Sequence, residues 1–159
     1  SFPHFQGCDQ STRWSRFRAG VHAMVEHSIN TFTSYADVVR YVARKLNVDS
    51  WEGDCAYHPF SQKDVSKGFL EVIIPVADSR GRLLRGAAGN GPMFVFLYKR
   101  GTWSFCGELH GAIVTAETVE GGTEFVTYSH TSARAGVERR YRLERLTYEC
   151  VLEQEIVTR

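Results

Sequence analysis

Met93-Phe94-Val95-Phe96-Leu97-Tyr98, then Lys99-Arg100-Gly101, then Trp103-Ser104-Phe105-Cys106-Gly107-Glu108-Leu109 is the stretch on which the fold turns. Two apolar, aromatic-rich runs flank a glycine-containing tip. Such residues favour extended backbone, and glycine supplies the positive φ that a tight connection needs, so the stretch reads as a β-hairpin. The same reading carries outward. Phe69 to Val76 is a strand before the hairpin; Ala112 to Val119, Thr123 to Tyr128 and Val137 to Leu146 are strands after it, with Glu120-Gly121-Gly122 as a second hairpin tip. Tyr141 and Leu143 alternate in one phase, and Leu146, Tyr148, Cys150 and Leu152 in the other. A bulge, a turn or a new element near Arg145 would absorb that slip. Sequential short strands favour an antiparallel meander, and curling it into a barrel removes its exposed edges.

The period changes upstream. Between Ser11 and Ser28 the residues Trp14, Phe17, Val21, Met24 and Val25 recur every three or four positions, the stripe of an amphipathic helix. Ser34 followed at the third place by Asp37 resembles a capping box, after which Tyr35, Val39, Val42, Ala43 and Leu46 share a face, so a second helix is predicted to end near Asn47. Ser28 to Thr33 reads as a short strand between the two. Trp51 to Gly68, with Gly53 and Pro59, reads as an exposed loop or insertion. The expected architecture is therefore α+β: a single domain over 1–159 with a helical part at 1–50, a loop at 51–68 and a small antiparallel β-barrel at 69–159, the helices packed on it.

With 43% hydrophobic and 23% charged residues the chain can bury a core, which separates it from disordered sequences. A net charge of +1 offers no global field for nucleic acid or an anionic membrane, so any such contact needs a local patch. No apolar run is long enough to span a bilayer, and the Ser-Phe-Pro-His start carries no secretory signal; an intracellular segment of a longer protein is expected, with the parent's other domains as further partners and no membrane. Cys8, Cys55, Cys106 and Cys150 could form two disulfides in an oxidising compartment, whereas buried free thiols are the reading preferred for an intracellular domain.

Signatures of catalysis are missing: there is no Gly-x-Ser-x-Gly, no His-Glu-x-x-His and no phosphate-cradling Gly-x-x-x-x-Gly-Lys-Ser/Thr. Gly86 to Gly91 is glycine-rich but precedes a strand, so it aims no helix N-terminus at a phosphate. Cys55-x-x-His58 with Cys106-x-x-x-His110 offers two sulfurs and two imidazoles, the set tetrahedral zinc wants, and alternation puts Cys106 and His110 on one face; the pairs lack the compact knuckle of zinc fingers, and no cofactor is expected. Lys99, Arg100, Arg134, Arg139 and Arg140 are candidate phosphate contacts, since backbone contacts supply most nucleic-acid affinity. The alternative is a solvated face on which Arg139, Arg140, Arg142 and Arg145 interleave with Glu138 and Glu144.

Gly89-Asn90-Gly91-Pro92-Met93-Phe94-Val95-Phe96-Leu97-Tyr98, followed by Gly101 and Phe105-Cys106-Gly107-Glu108-Leu109, resembles the central strand pair of YTH domains and, more loosely, PUA-like modules such as EVE domains. Tyr141-Arg142-Leu143-Glu144 is similar to the last barrel strand of such modules, and Ser34-Tyr35 opening a helix with Trp51 behind it is an upstream echo. The resemblance implies a PUA-like barrel that reads a modified, for example methylated, base in RNA or DNA. Trp51 would then be one wall of an aromatic cage, with Ser34, Tyr35 and Asn90 in the same base-binding set. No tryptophan follows the Phe105 strand, which leaves Trp103 or Tyr128 as the second wall. A flipped base offers a π-face to such rings while its edge is read by hydrogen bonds. The expected role is a nucleic-acid-binding module and not an enzyme. The other readings are a protein-interaction or scaffold domain, marked by a filled pocket and by arginines paired with glutamates, and a hydrolase with a Cys or Ser nucleophile.

Overall fold

A computed structural model describes residues 5–7, 30–59, 68–119, 122–144 and 147–159. The helix expected over 11–28 lies outside them. In chain order the elements are β1 (Phe5–Gly7), β2 (Thr31–Phe32), α1 (Tyr35–Leu46), β3 (Trp51–Pro59), β4 (Phe69–Asp78), β5 (Gly91–Lys99), β6 (Thr102–Gly111), β7 (Ile113–Val119), β8 (Gly122–His130), β9 (Gly136–Leu143) and β10 (Cys150–Thr158). The strands pair antiparallel in two sheets, one ordered β1-β3-β4-β5-β6-β2 and the other β10-β9-β8-β7.

Two open sheets thus stand, among the described residues, where one closed barrel was expected. The reason is visible in β5. Its aliphatic residues Met93, Val95 and Leu97 pack with Val114, Ala116, Phe125, Tyr141 and Leu143 of the four-stranded sheet. Its aromatic residues Phe94 and Phe96 point the other way, into a cluster with Tyr35, Val38, Tyr41 and Val42 of α1. A strand apolar on both faces needs a layer on each side. The result is three layers: the helix, the six-stranded sheet and the four-stranded sheet. In the last, β8 buries Thr123, Phe125, Thr127 and Ser129 and leaves Glu124, Val126, Tyr128 and His130 partly open, the alternation of a strand covered on one face only.

Local chemistry sets several boundaries where the sequence placed them. Ser34 caps α1, its Oγ accepting from the Asp37 backbone N–H at 3.3 Å. Asn47 ends it in the left-handed region with its N–H returned to the last turn. The β5–β6 tip is two residues, Arg100 at φ 51° and Gly101 at φ 78°, closing the pair Lys99 and Thr102. The phase slip falls between two strands: the Tyr148 backbone N–H donates to the Glu144 carbonyl at 2.9 Å, and the chain returns as β10 against β9. The strand read as Val137 to Leu146 accordingly ends at Leu143.

The loop expected over 51–68 is a correction. Residues 51–59 form β3, paired along its whole length with β4, while 60–67 lie outside the described residues. Gly53 looks like a loop residue but answers to crowding: a Cβ there would sit 2.1 Å from the Ile74 carbonyl oxygen, at the bulge between Glu52 and Gly53. No helix among the described residues is long and apolar enough to cross a membrane.

Candidate functional site

The rings expected to hold a base lie inside the protein. Tyr35, Trp51 and Trp103 are 1%, 2% and 0% exposed. Trp103 packs against Tyr35, Tyr98 and Phe69, with ring centroids 5.4, 4.6 and 5.8 Å away. The Tyr35 hydroxyl donates to Oε1 of the buried Glu71 at 2.6 Å, and the Trp51 indole N–H donates to the Val39 carbonyl at 3.0 Å. For Tyr35 and Trp51 these are the contacts of aromatic residues whose polar tips are satisfied internally. Ser34 is committed to its helix, bonding Asp37 through both backbone and carboxylate; Arg40 first and Ser34 second hold that carboxyl below the usual range.

Tyr128 and Asn90 sit elsewhere. Tyr128 is on the outer row of the four-stranded sheet, edge-on to the His130 ring at 4.9 Å. The Asn90 amide is occupied on both sides by the His130 backbone: Nδ2 donates to its carbonyl at 2.5 Å and Oδ1 accepts from its N–H at 2.9 Å. That pair ties the start of β5 to the end of β8, so it joins the two sheets. The six residues do not form one slot.

The cationic set is likewise divided. Lys99 and Arg100 are at one end of β5 and Asn90 precedes the other, roughly 30 Å away for nine extended residues. Arg134 lies in the turn that follows His130, at Asn90's end. Arg139 and Arg140 point to opposite faces of β9, in register with Thr127 and Val126. Arg139 bonds Glu155 and Ser129, both at 2.8 Å; Arg140 bonds Glu124 at 2.7 Å and faces Glu138 at 3.4 Å; Arg142 pairs with Glu144 and Glu153. The expected phosphate patch is not assembled, and the interleaved, charge-paired face is what the sheet presents.

Among the described residues zinc finds no assembled site. A bulge between Val95 and Phe96 of β5, opposite Cys106, shifts the phase of β6. Cys106 therefore enters the core between the sheets, while His110 follows Phe94 and Glu108 to the opposite face, which corrects the expectation of one shared face. Among the described residues no group of three or more His, Cys, Asp or Glu could hold a metal ion. Burial pushes the Cys106 thiol up to about 12 and the Cys150 thiol in the same direction, so both remain protonated. Cys106 and Cys150 are free, as read from the sequence, but Cys55 is disulfide-bonded, which corrects that reading. Cys8 lies outside the described residues. Disulfides persist in oxidising surroundings, which removes thiol usage as an argument for an intracellular location.

Two open hollows are lined by described residues. One of about 350 Å³ lies between α1, β6 and the start of β10, where the Lys45 ammonium stands 5.6 Å from the centroids of both Tyr41 and Phe105. Those rings touch each other at 5.0 Å, so no gap between them awaits a third. The other, about 280 Å³, is lined by polar residues around Asp49, Asp78 and Arg82. None of the expected base-binding residues lines either.

Sequence reasoning missed two features. Arg85, half-buried and with its pKa lowered by desolvation, donates to the carbonyls of Pro75, Gly89, Gly91, Pro92 and Gly111, and so clamps the glycine-rich segment. A lone arginine in a loop gives no sign of this. The second is β10, whose Val151, Leu152, Ile156 and Val157 are all exposed; its alternation was legible as far as Leu152, its exposure was not. Compared with protein-family models, curated proteins and solved structures, the chain finds no match in any of the three.

Proposed function

We propose that this domain is a protein-interaction module whose docking surface is the four-stranded sheet, with β10 as its accessible edge. The observation that carries the reading is β10 itself: among the described residues it ends its sheet, and Val151, Leu152, Ile156 and Val157 are exposed along it. Long apolar edge strands are templates for another strand, and proteins that keep one use it. Two further observations support the reading. Of the rings that would read a base, Tyr35, Trp51 and Trp103 are buried in the core, and Arg139, Arg140 and Arg142 are matched by glutamates, as expected of an interaction domain without a base pocket. On this proposal the likeness to YTH and PUA-like modules is one of strand pattern and not of pocket.

The rival proposal, a modified-base reader, is separated by one paired measurement. Extended peptides selected from a displayed library would be tested for protection of β10 amides from hydrogen exchange, while short modified and unmodified oligonucleotides are titrated at two salt concentrations. Protection confined to β10 and β9, with no salt-sensitive oligonucleotide binding, is the expected result. Salt-sensitive binding of an oligonucleotide without any β10-protecting peptide would reverse the choice.

A further inference from the structure

Cys106 and Cys150 belong to different sheets, and both turn inward between them. The bulge in β6 leaves Gly107 opposite the inward Val95, while its neighbour Cys106 also lies in the core between the sheets. Residues directly opposed in an antiparallel pair share a face, so the bulge gives β6 two successive inward positions. Cys150, the first residue of β10, opposes the inward Leu143 and packs on that same core. It comes so near β6 that a Cβ at Gly107 would lie 3.1 Å from its own. A disulfide joins Cβ atoms about 3.8 Å apart. Glycine at 107, with φ at 143°, thus leaves the room that Cys150 occupies beside Cys106.

The two thiols also act on each other. Burial first, and the neighbouring Cys106 second, push the Cys150 thiol up, and the second cause operates only across a short separation. Both residues line the hollow of about 350 Å³ between α1, β6 and β10, with Cys150 partly exposed and Cys106 buried behind it. Two sulfurs are half of what tetrahedral zinc requires, and no third metal-binding side chain joins them among the described residues. Cys55 is disulfide-bonded, and such bonds persist where the surroundings are oxidising.

We propose that Cys106 and Cys150 form an oxidation site, at which a small disulfide-bearing oxidant entering the hollow converts the two thiols into a disulfide that fastens the start of β10 to β6. Cys150, the exposed member, gives up its proton to solvent and its sulfur attacks one sulfur of the oxidant. The oxidant's S–S bond breaks, one thiolate leaves and takes up a proton, and a mixed disulfide stands on Cys150. Cys106 then loses its proton and attacks the Cys150 sulfur, expelling the second thiolate. Two protein thiols are oxidised to one disulfide, and one oxidant disulfide is reduced to two thiols. Burial holds both groups in the unreactive thiol form, so exchange is slow and the pair stands reduced beside the bonded Cys55.

The test uses the whole 159-residue chain, folded and free of reductant. Incubated with oxidised glutathione, the wild type should lose both thiols, and peptide mapping should find Cys106 joined to Cys150. Cys106→Ser should halt at a lasting glutathione adduct on Cys150, whereas Cys150→Ser, left with only the buried thiol, should take up far less glutathione. The bonded wild type should unfold at a higher denaturant midpoint than the untreated chain, because the cross-link restricts the unfolded state; Cys150→Ser should show no such rise. Mapping of the wild type stands even where a variant folds poorly. Two outcomes overturn the proposal: both thiols survive in the folded chain while the denatured chain loses them, or glutathione adducts form at both positions without a 106–150 bond.

Discussion

The six-stranded and four-stranded sheets draw on the same kinds of residue and expose them oppositely. In the six-stranded sheet, β4 and β5 are buried on both faces, and the rings of Phe94, Phe96 and Trp103 are sealed on the α1 side. In the four-stranded sheet one face is buried, and the other carries Tyr128, His130 and a ladder of paired charges beside an apolar edge. The comparison teaches that aromatic content does not locate a recognition surface. A ring between two layers is structure; an apolar residue on a one-layer face is available.

The sharpest way to break this contrast is to truncate one residue from each sheet and compare midpoints in a denaturant titration. Trp103→Ala removes a fully buried ring and should cost about 3–5 kcal/mol. Arg140→Ala, whose pairs with Glu124 and Glu138 are partly solvated, should cost less than about 1 kcal/mol. Similar costs would mean that the six-stranded sheet is not the sealed layer described. The joint between the sheets comes next. Asn90→Ala deletes both bonds to the His130 backbone and should cost about 1–3 kcal/mol, with faster hydrogen exchange at the β8–β9 turn as the accompanying sign. Exchange unchanged there would remove Asn90 as the tie.

The smallest effect is one of pH. The His110 imidazole is pushed below its usual value, by desolvation first and then by the Arg139 and Arg85 charges, against a lesser opposing pull from Glu108. The folded protein therefore takes up this proton less readily than the unfolded chain. Its contribution to stability is complete above the unfolded value near 6.5 and is lost as pH falls through that value towards the folded one. His110→Asn should flatten the stability profile on the acid side of 6.5. A profile identical to the wild type would detach the titration from His110.

How much was legible depended on how local the cause was. Ser34 and Asn47 bound α1 because capping is a matter of a few adjacent groups, and Arg100-Gly101 marked its hairpin for the same reason. Strand β3 was misread because Gly53 and Pro59 carry the marks of a loop. The approach of the Ile74 carbonyl, which calls for the glycine, comes from another strand. Cys106 and His110 were expected on one face because strict alternation was assumed, and a single bulged residue turned them apart. The proposed cage residues do not share a slot, because nothing near Trp51 or Trp103 in the chain tells whether a second layer will cover it.

By itself, then, the sequence determined the antiparallel strands from residue 69 onward, the helix at 35–46 with its caps, the Arg100-Gly101 turn and the change of phase near residue 145, because each follows from neighbours within a few positions. The tertiary structure decided that two sheets form where one barrel was expected, which rings are sealed, which arginines meet glutamates, and that β10 is left open. Those outcomes depend on which distant surfaces stack, and burial is a property of layers, not of residues taken in order.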